Sequence, residues 1–69
     1  LDPPAMSPAD RAAYEAWDRR VTREVADRRE SRQHFIDKLI ASGDHREARI
    51  QRAALLDLRA EVEREWPAP

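Results

Sequence analysis

Arginine is the residue type in this sequence whose side chains are best suited to bind a charged ligand or partner. Half of the twelve arginines lie within residues 19–32. A guanidinium group is always charged, and its planar donors bind carboxylates or phosphates in pairs. Six arginines stand here against three acidic residues, a local charge of +3 in a chain of net charge −1. Arg20, Glu24 and Arg28 follow at four-residue spacing, which on a helix gives ion pairs on a solvated face. The segment is therefore a candidate basic surface.

Arg28 and Arg32 stand where a helix facing a core would carry apolar side chains. A series with a seven-residue period passes through Arg28 and includes Tyr14, Val21 and Phe35. A parallel series of the same period places Arg32 in line with Asp18, Val25 and Leu39. Residues 27–34, two full helical turns, contain no apolar residue, although the apolar stripe formed by these two series would continue through them.

Three interpretations fit these two arginines. They could lie in a helix–helix seam and meet carboxylates such as Asp57 or Glu61, because polar seam residues fix register at a cost in stability. Their stems could pack on leucines while the charged groups extend to water. They could instead belong to a functional basic surface that binds nucleic acid. That surface would consist of Arg19, Arg20, Arg23, Arg28, Arg29 and Arg32.

Residues typical of catalysis or metal binding are few and dispersed. The two histidines, His34 and His45, are separated by more than two helical turns in the predicted hairpin, too far for one metal ion. Ser7 and Ser42 are placed as helix-end residues, and two helices offer no cavity of the size that enzymes use. We therefore expect no catalytic residue, no metal site and no cofactor, and we interpret the protein as a non-enzyme.

The elements that position these side chains are two amphipathic helices. Helix 1 is predicted over residues 8–42, with Ser7 as its N-cap and Pro8 at its first position. Gly43, the only glycine, follows the last apolar residue, where a left-handed conformation ends a helix. Asp44 then caps helix 2, predicted over residues 45–66, with Glu47 in a capping-box arrangement. A stop and a fresh cap this close together favour an antiparallel hairpin.

The predicted fold is all-α, a helical hairpin with a coiled-coil-like seam. The expected buried side chains are Trp17, Val21, Val25, Phe35, Leu39, Leu55, Leu58 and Val62. Helix 2 ends opposite Val21, so Tyr14 and Trp17 extend beyond it and are covered at most by Trp66. A chain of 69 residues without cysteine buries a small core, and we expect a homodimer that forms a four-helix bundle. The alternative is a three-helix bundle from one chain, formed if helix 1 breaks within residues 27–34.

The predicted layout resembles that of the plasmid copy-number regulator Rop, a dimer of antiparallel helical hairpins. The resemblance is one of architecture and implies no site. Residues 1–7 are expected to form a disordered segment, either a cloning remnant before a native start at Met6 or a linker in a longer protein. Residues 8–66 form the domain and residues 67–69 a tail. The sequence has no long apolar run, so we expect no membrane association and a cytoplasmic location.

These features predict a small regulatory or adaptor protein that docks through its helices to itself and to another protein. The side chains expected to contact a partner are Tyr14, Trp17, Arg28, Arg32, Leu56 and Trp66. The first alternative is a dimeric nucleic-acid-binding regulator that uses the arginine face, and it ranks second because nucleic-acid-binding domains usually carry a net positive charge. The second alternative is a dimerising docking domain of a larger chain.

Overall fold

The computed structural model describes residues 6–69, and this part of the chain is a helical hairpin. It contains three α-helices, α1 (Pro8–Ala41), α2 (His45–Ala54) and α3 (Leu58–Glu65), and one turn of 3₁₀-helix (Leu55–Asp57) between α2 and α3. α1 packs against both α2 and α3, which run back along it. The predicted all-α hairpin is confirmed. α1 is continuous through residues 27–34, so the break required for a three-helix bundle is not observed.

The helix ends follow the capping residues. The Ser7 side chain accepts a hydrogen bond from the Asp10 amide at 3.1 Å, and Pro8 opens α1. Gly43 has a φ of +85°, and the amides of Gly43 and Asp44 donate to the last carbonyls of α1. The Asp44 side chain accepts from the Glu47 amide at 3.2 Å and caps α2. The predicted starts and the predicted turn are thus confirmed, and Ser7, expected within the disordered segment, serves as a cap.

The second arm of the hairpin is not the single helix predicted over residues 45–66. One turn of 3₁₀-helix interrupts it at Leu55–Asp57, in a stretch without glycine or proline. In a 3₁₀ turn, side chains three residues apart point in the same direction. Leu55 and Leu58 are so spaced, and both pack in the core with α1. The tight turn therefore keeps the apolar side chains of α3 facing α1.

The core is divided along the hairpin. Near the open end, Val21, Val25, Leu58 and Val62 form a buried cluster. Trp17, Leu55 and Trp66 pack against that cluster and are half-buried. Near the turn the buried side chains are Ile36 and Ala48.

Within the single chain, Phe35 does not have the buried position expected of it. Its side chain is 49% exposed, whereas the adjacent Ile36 is fully buried. Ile36 follows Val25 by eleven residues, close to three turns of a straight helix. The prediction used a seven-residue period, which holds only where two helices supercoil.

The molecule is long and thin, with principal extents of 55 × 24 × 15 Å. An α-helix with its side chains is about 10–12 Å across, so the hairpin is little more than one helix thick. None of the helices in the described part of the chain combines the length and the apolar character needed to cross a bilayer.

Candidate docking surface

Arg28 and Arg32 are held by carboxylates in the seam between α1 and α3. Arg28 donates to Glu24 at 2.9 Å, to Glu61 at 3.2 Å and to Glu65 at 2.5 Å. Arg32 donates to both carboxylate oxygens of Glu61, at 2.9 and 2.8 Å. These five residues form the seam cluster. The first of the three interpretations therefore describes both arginines, with Glu61 rather than Asp57 as the carboxylate of the second arm.

The seam cluster shifts the pKa values of Glu61 and Arg28. Hydrogen bonds from Arg32 hold the pKa of the Glu61 carboxyl below its usual range, although partial burial acts in the opposite direction. The carboxylate of Glu65, and after it that of Glu24, raises the pKa of the Arg28 guanidinium. All three guanidinium nitrogens of Arg28 and one of Arg32 donate to carboxylates, so both arginines are engaged within the chain.

A second set of polar contacts lies on the other side of the buried cluster of Val21, Val25, Leu58 and Val62, which we call the valine–leucine core. Arg59 of α3 donates to Asp18 at 2.6 Å, to Thr22 at 3.3 Å and to Glu63 at 3.0 Å. The Asp18 carboxylate is the main cause of a raised pKa of Arg59. None of these contacts was predicted from the sequence. The available signal was Asp18 itself, which occupies the same seven-residue series as Arg32.

The two tryptophans meet at the open end of the hairpin. The indole Nε1–H of Trp17 donates to the backbone carbonyl of Trp66 at 2.7 Å, and the Tyr14 ring lies 5.2 Å from that of Trp17. The Arg20 guanidinium lies over the Trp66 ring, 4.7 Å from its centroid. Trp17, Trp66 and Arg20 border an open groove of about 530 Å³. The residues lining this open-end groove are Ala13, Ala16, Trp17, Arg20, Glu65, Trp66, Pro67 and Pro69.

A second depression adjoins the groove and is lined by arginines. It measures about 390 Å³, and Ala16, Arg19, Arg20 and Arg23 line it; we call it the arginine pocket. Ala16 and Arg20 also line the open-end groove, so the two depressions form one continuous surface. Within residues 6–69, no carboxylate oxygen lies within 4 Å of a guanidinium nitrogen of Arg19, Arg20 or Arg23.

The six arginines of the candidate basic surface are therefore divided. Arg28 and Arg32 are bound in the seam cluster, and Arg19, Arg20 and Arg23 line the arginine pocket. Arg29 is exposed and lines neither depression.

The remaining candidate, Leu56, lies in the 3₁₀ turn and is 87% exposed, away from both depressions. Other large apolar side chains exposed in the same region are Phe35, Ile40 and Ile50. Residues 33–57 form what we call the turn half of the hairpin. The structure thus brings Tyr14, Trp17 and Trp66 together at the open end and places Leu56 on a different surface.

The described residues contain no group of three histidine or acidic side chains arranged to hold a metal ion.

Comparison with known proteins found no matching family model, curated protein or solved structure. The candidate surface is therefore defined by its own geometry.

Proposed function

We propose that this protein is a small non-enzymatic regulatory or adaptor protein that docks through its helices, to a second copy of itself and to another protein. The observation that carries the proposal is its shape. The Cα radius of gyration is 17.0 Å, whereas a compact domain of this length has a radius of about 11 Å. Domains usually consist of two packed layers, and this hairpin supplies one.

The surface area supports a second copy as the missing layer. The accessible surface is 5708 Å². A compact monomer of 8.0 kDa exposes about 4,450 Å². The excess of about 1,250 Å² is larger than the roughly 800 Å² that each partner buries in a standard stable interface. Two hairpins packed face to face would form a four-helix bundle.

The turn half is the part of the hairpin that we assign to self-association. Only Ile36 and Ala48 are buried there, while Phe35, Ile40 and Ile50 are 49%, 38% and 52% exposed. The open half, in contrast, holds the valine–leucine core between two sets of ion pairs. A second copy that covers the turn half would bury aliphatic and aromatic surface where the single chain has the smallest core. The proposal includes a cytoplasmic location, with which the cysteine-free sequence is compatible.

Light scattering coupled to size-exclusion chromatography tests the self-association in this proposal. We expect a molar mass near 16 kDa, twice the chain mass of 8.0 kDa, at micromolar and higher concentrations. Phe35→Glu places a charge in the proposed interface and should shift the mass toward that of one chain. The matched control, Ala26→Glu, adds the same charge at an exposed position of α1 outside the turn half and should leave the mass unchanged. A mass of 8 kDa at every concentration would contradict self-association.

A further inference from the structure

We propose that the open-end groove and the arginine pocket together form a docking site for an acidic peptide segment with one apolar anchor residue, carried by another protein. The proposal names the class of partner and in that sense rests on the docking function proposed above. It concerns the open end of the hairpin, whereas self-association is assigned to the turn half, so the two can fail independently.

The groove has the properties of an anchor site. Its volume of about 530 Å³ accommodates a large side chain and the neighbouring backbone. Trp17 is held in place by its hydrogen bond to the Trp66 carbonyl, and its ring also packs near that of Tyr14. The proline residues of the tail, Pro67 and Pro69, form part of the lining. Aromatic rings with fixed positions contribute large contact areas at little loss of side-chain entropy, which is why tryptophan is frequent at binding hot spots.

The charge of the adjoining pocket selects an acidic segment. Arg19, Arg20 and Arg23 line one depression, whereas the arginines that form ion pairs within the described chain are Arg28, Arg32 and Arg59. The stacking of Arg20 on Trp66 orients its guanidinium plane at the boundary between groove and pocket. A carboxylate next to an apolar anchor would therefore meet a guanidinium already in position, and bidentate pairing would add to the affinity.

An acidic peptide fits this surface better than a nucleic acid does. Nucleic-acid affinity comes mostly from a row of cations along the phosphate backbone, and the net charge of this chain is −1. The seam cluster withdraws Arg28 and Arg32 from such a row, which leaves Arg29 by itself and one compact group of three arginines in the arginine pocket. A compact cationic group beside an aromatic groove matches a short segment with a few carboxylates and one anchor.

Intrinsic fluorescence gives a direct measurement, because the only two tryptophans of the chain both line the groove. The probes are synthetic peptides without tryptophan, in which glutamates flank a single leucine, phenylalanine or proline. One matched set has lysine for glutamate and another has alanine for the anchor. We expect at least one acidic anchored peptide to change the emission at saturation and to bind about tenfold or more tightly than both of its matched peptides. Its affinity should fall as salt screens the arginine pocket.

Substitutions then locate the site. Ala16 lines both depressions, so Ala16→Glu should weaken binding of the acidic peptide about tenfold or more, whereas Ala26→Glu on the same helix should not. Circular dichroism checks that both variants keep the helix content of the parent. No binding by any acidic anchored peptide, or equal losses in the two variants, would overturn the proposal. An RNA oligonucleotide that binds more tightly than the peptides and loses affinity with Ala16→Glu would overturn it in favour of a nucleic-acid surface. Light scattering on the same samples reports self-association separately.

Discussion

At the scale of single residues, Glu61 connects the two arms of the hairpin. Its carboxylate accepts hydrogen bonds from Arg28 and Arg32 of α1, and Glu65 adds a further contact to Arg28. Arg28, Arg32 and Glu61 are half-buried, so their contacts are partly shielded from water and salt. The ion pairs of the two arginines in the apolar stripe thereby fix the register of α3 against α1.

Acid should weaken the seam cluster. Because the pKa of Glu61 is lower in the folded chain than in the unfolded chain, its stabilising effect is complete above the unfolded pKa, about 4.3, and is lost as the pH falls through the folded pKa. We expect the midpoint temperature of thermal unfolding to decrease when the pH is lowered from 6 to 3. The decrease should be smaller in Glu61→Gln, which has already lost this carboxylate. The control is Glu30→Gln, at an exposed position of α1. Parallel pH profiles for the parent and Glu61→Gln, followed by circular dichroism, would contradict this account.

Removal of the hydrogen bond from Trp17 to the Trp66 carbonyl should destabilise the open end of the hairpin. Trp17→Phe keeps an aromatic ring but removes the donor, and it leaves a partly buried carbonyl of Trp66 without its partner. We expect a loss of about 1 kcal/mol in the free energy of unfolding, measured in urea. Trp66→Phe is the matched comparison, because the accepting carbonyl belongs to the backbone and remains. If Trp66→Phe is the more destabilising of the two, ring packing rather than the hydrogen bond holds the open end together.

At the scale of elements, the turn and the 3₁₀ interruption determine how the second arm follows α1. Gly43 reverses the chain with a positive φ, and nothing lies within 4 Å of the position that a β-carbon would take there. The requirement for glycine is therefore one of backbone conformation and not of space. The 3₁₀ turn keeps Leu58 in the core and leaves Leu56 almost fully exposed.

Substitution of Gly43 tests the conformational argument. Gly43→Ala should destabilise the hairpin by about 1–2 kcal/mol, because an L-residue with a β-carbon is strained at this φ. Gly43→Asn should cost less, since asparagine adopts the left-handed region more readily. Urea unfolding of the three proteins gives the comparison. Equal stability of the alanine variant and the parent would show that the turn adopts another conformation in solution.

The two leucines around the 3₁₀ turn should differ sharply. Leu58→Ala leaves a cavity in the core and should cost about 2–5 kcal/mol. That loss is comparable to the whole stability of roughly 3–5 kcal/mol that a core of this size supplies, so the variant should be largely unfolded by circular dichroism. Leu56→Ala should change the stability of the single chain by less than about 0.5 kcal/mol. Similar losses at both positions would mean that Leu56 is buried in the assembled protein.

At the scale of the whole molecule, the thin hairpin exposes more surface than a compact chain of the same mass. The radius of gyration and the accessible area both exceed those of a compact chain of this size. The turn half carries most of the exposed large apolar side chains of the described residues, and the open end carries the aromatic groove. The two ends thus offer different surfaces: exposed large apolar side chains, including Phe35, in the turn half, and the arginine pocket beside two tryptophans at the open end.

A self-associating hairpin should become more stable as its concentration rises. Dimer formation is linked to folding by mass action, so each tenfold increase in concentration adds about 1.4 kcal/mol to the stability of the dimer. We expect the midpoint of thermal unfolding to rise steadily with concentration in the parent and much less in Phe35→Glu. A midpoint independent of concentration in the parent would indicate a monomer that unfolds alone.

Local features were readily predicted from the sequence because they depend on neighbouring residues. Ser7, Pro8, Gly43 and Asp44 act within one helical turn, and each occupies the expected role. The pairing of Arg28 and Arg32 with Glu61 was one of three open interpretations, since a pattern shows that a position faces the seam but not what stands opposite. Arg59 was missed because its partners, Asp18 and Thr22, lie on the other arm.

The sequence by itself determined the helices, their ends and the reversal at Gly43, since hydrogen bonding within a helix and its caps involves residues close along the chain. Only the tertiary structure decided that Ile36 rather than Phe35 is buried within the single chain, because the answer depends on the direction in which the second arm crosses a straight helix. It also decided which arginines bind carboxylates and which line a pocket. That division depends on contacts between side chains distant in sequence, and their geometry exists only once the arms have packed.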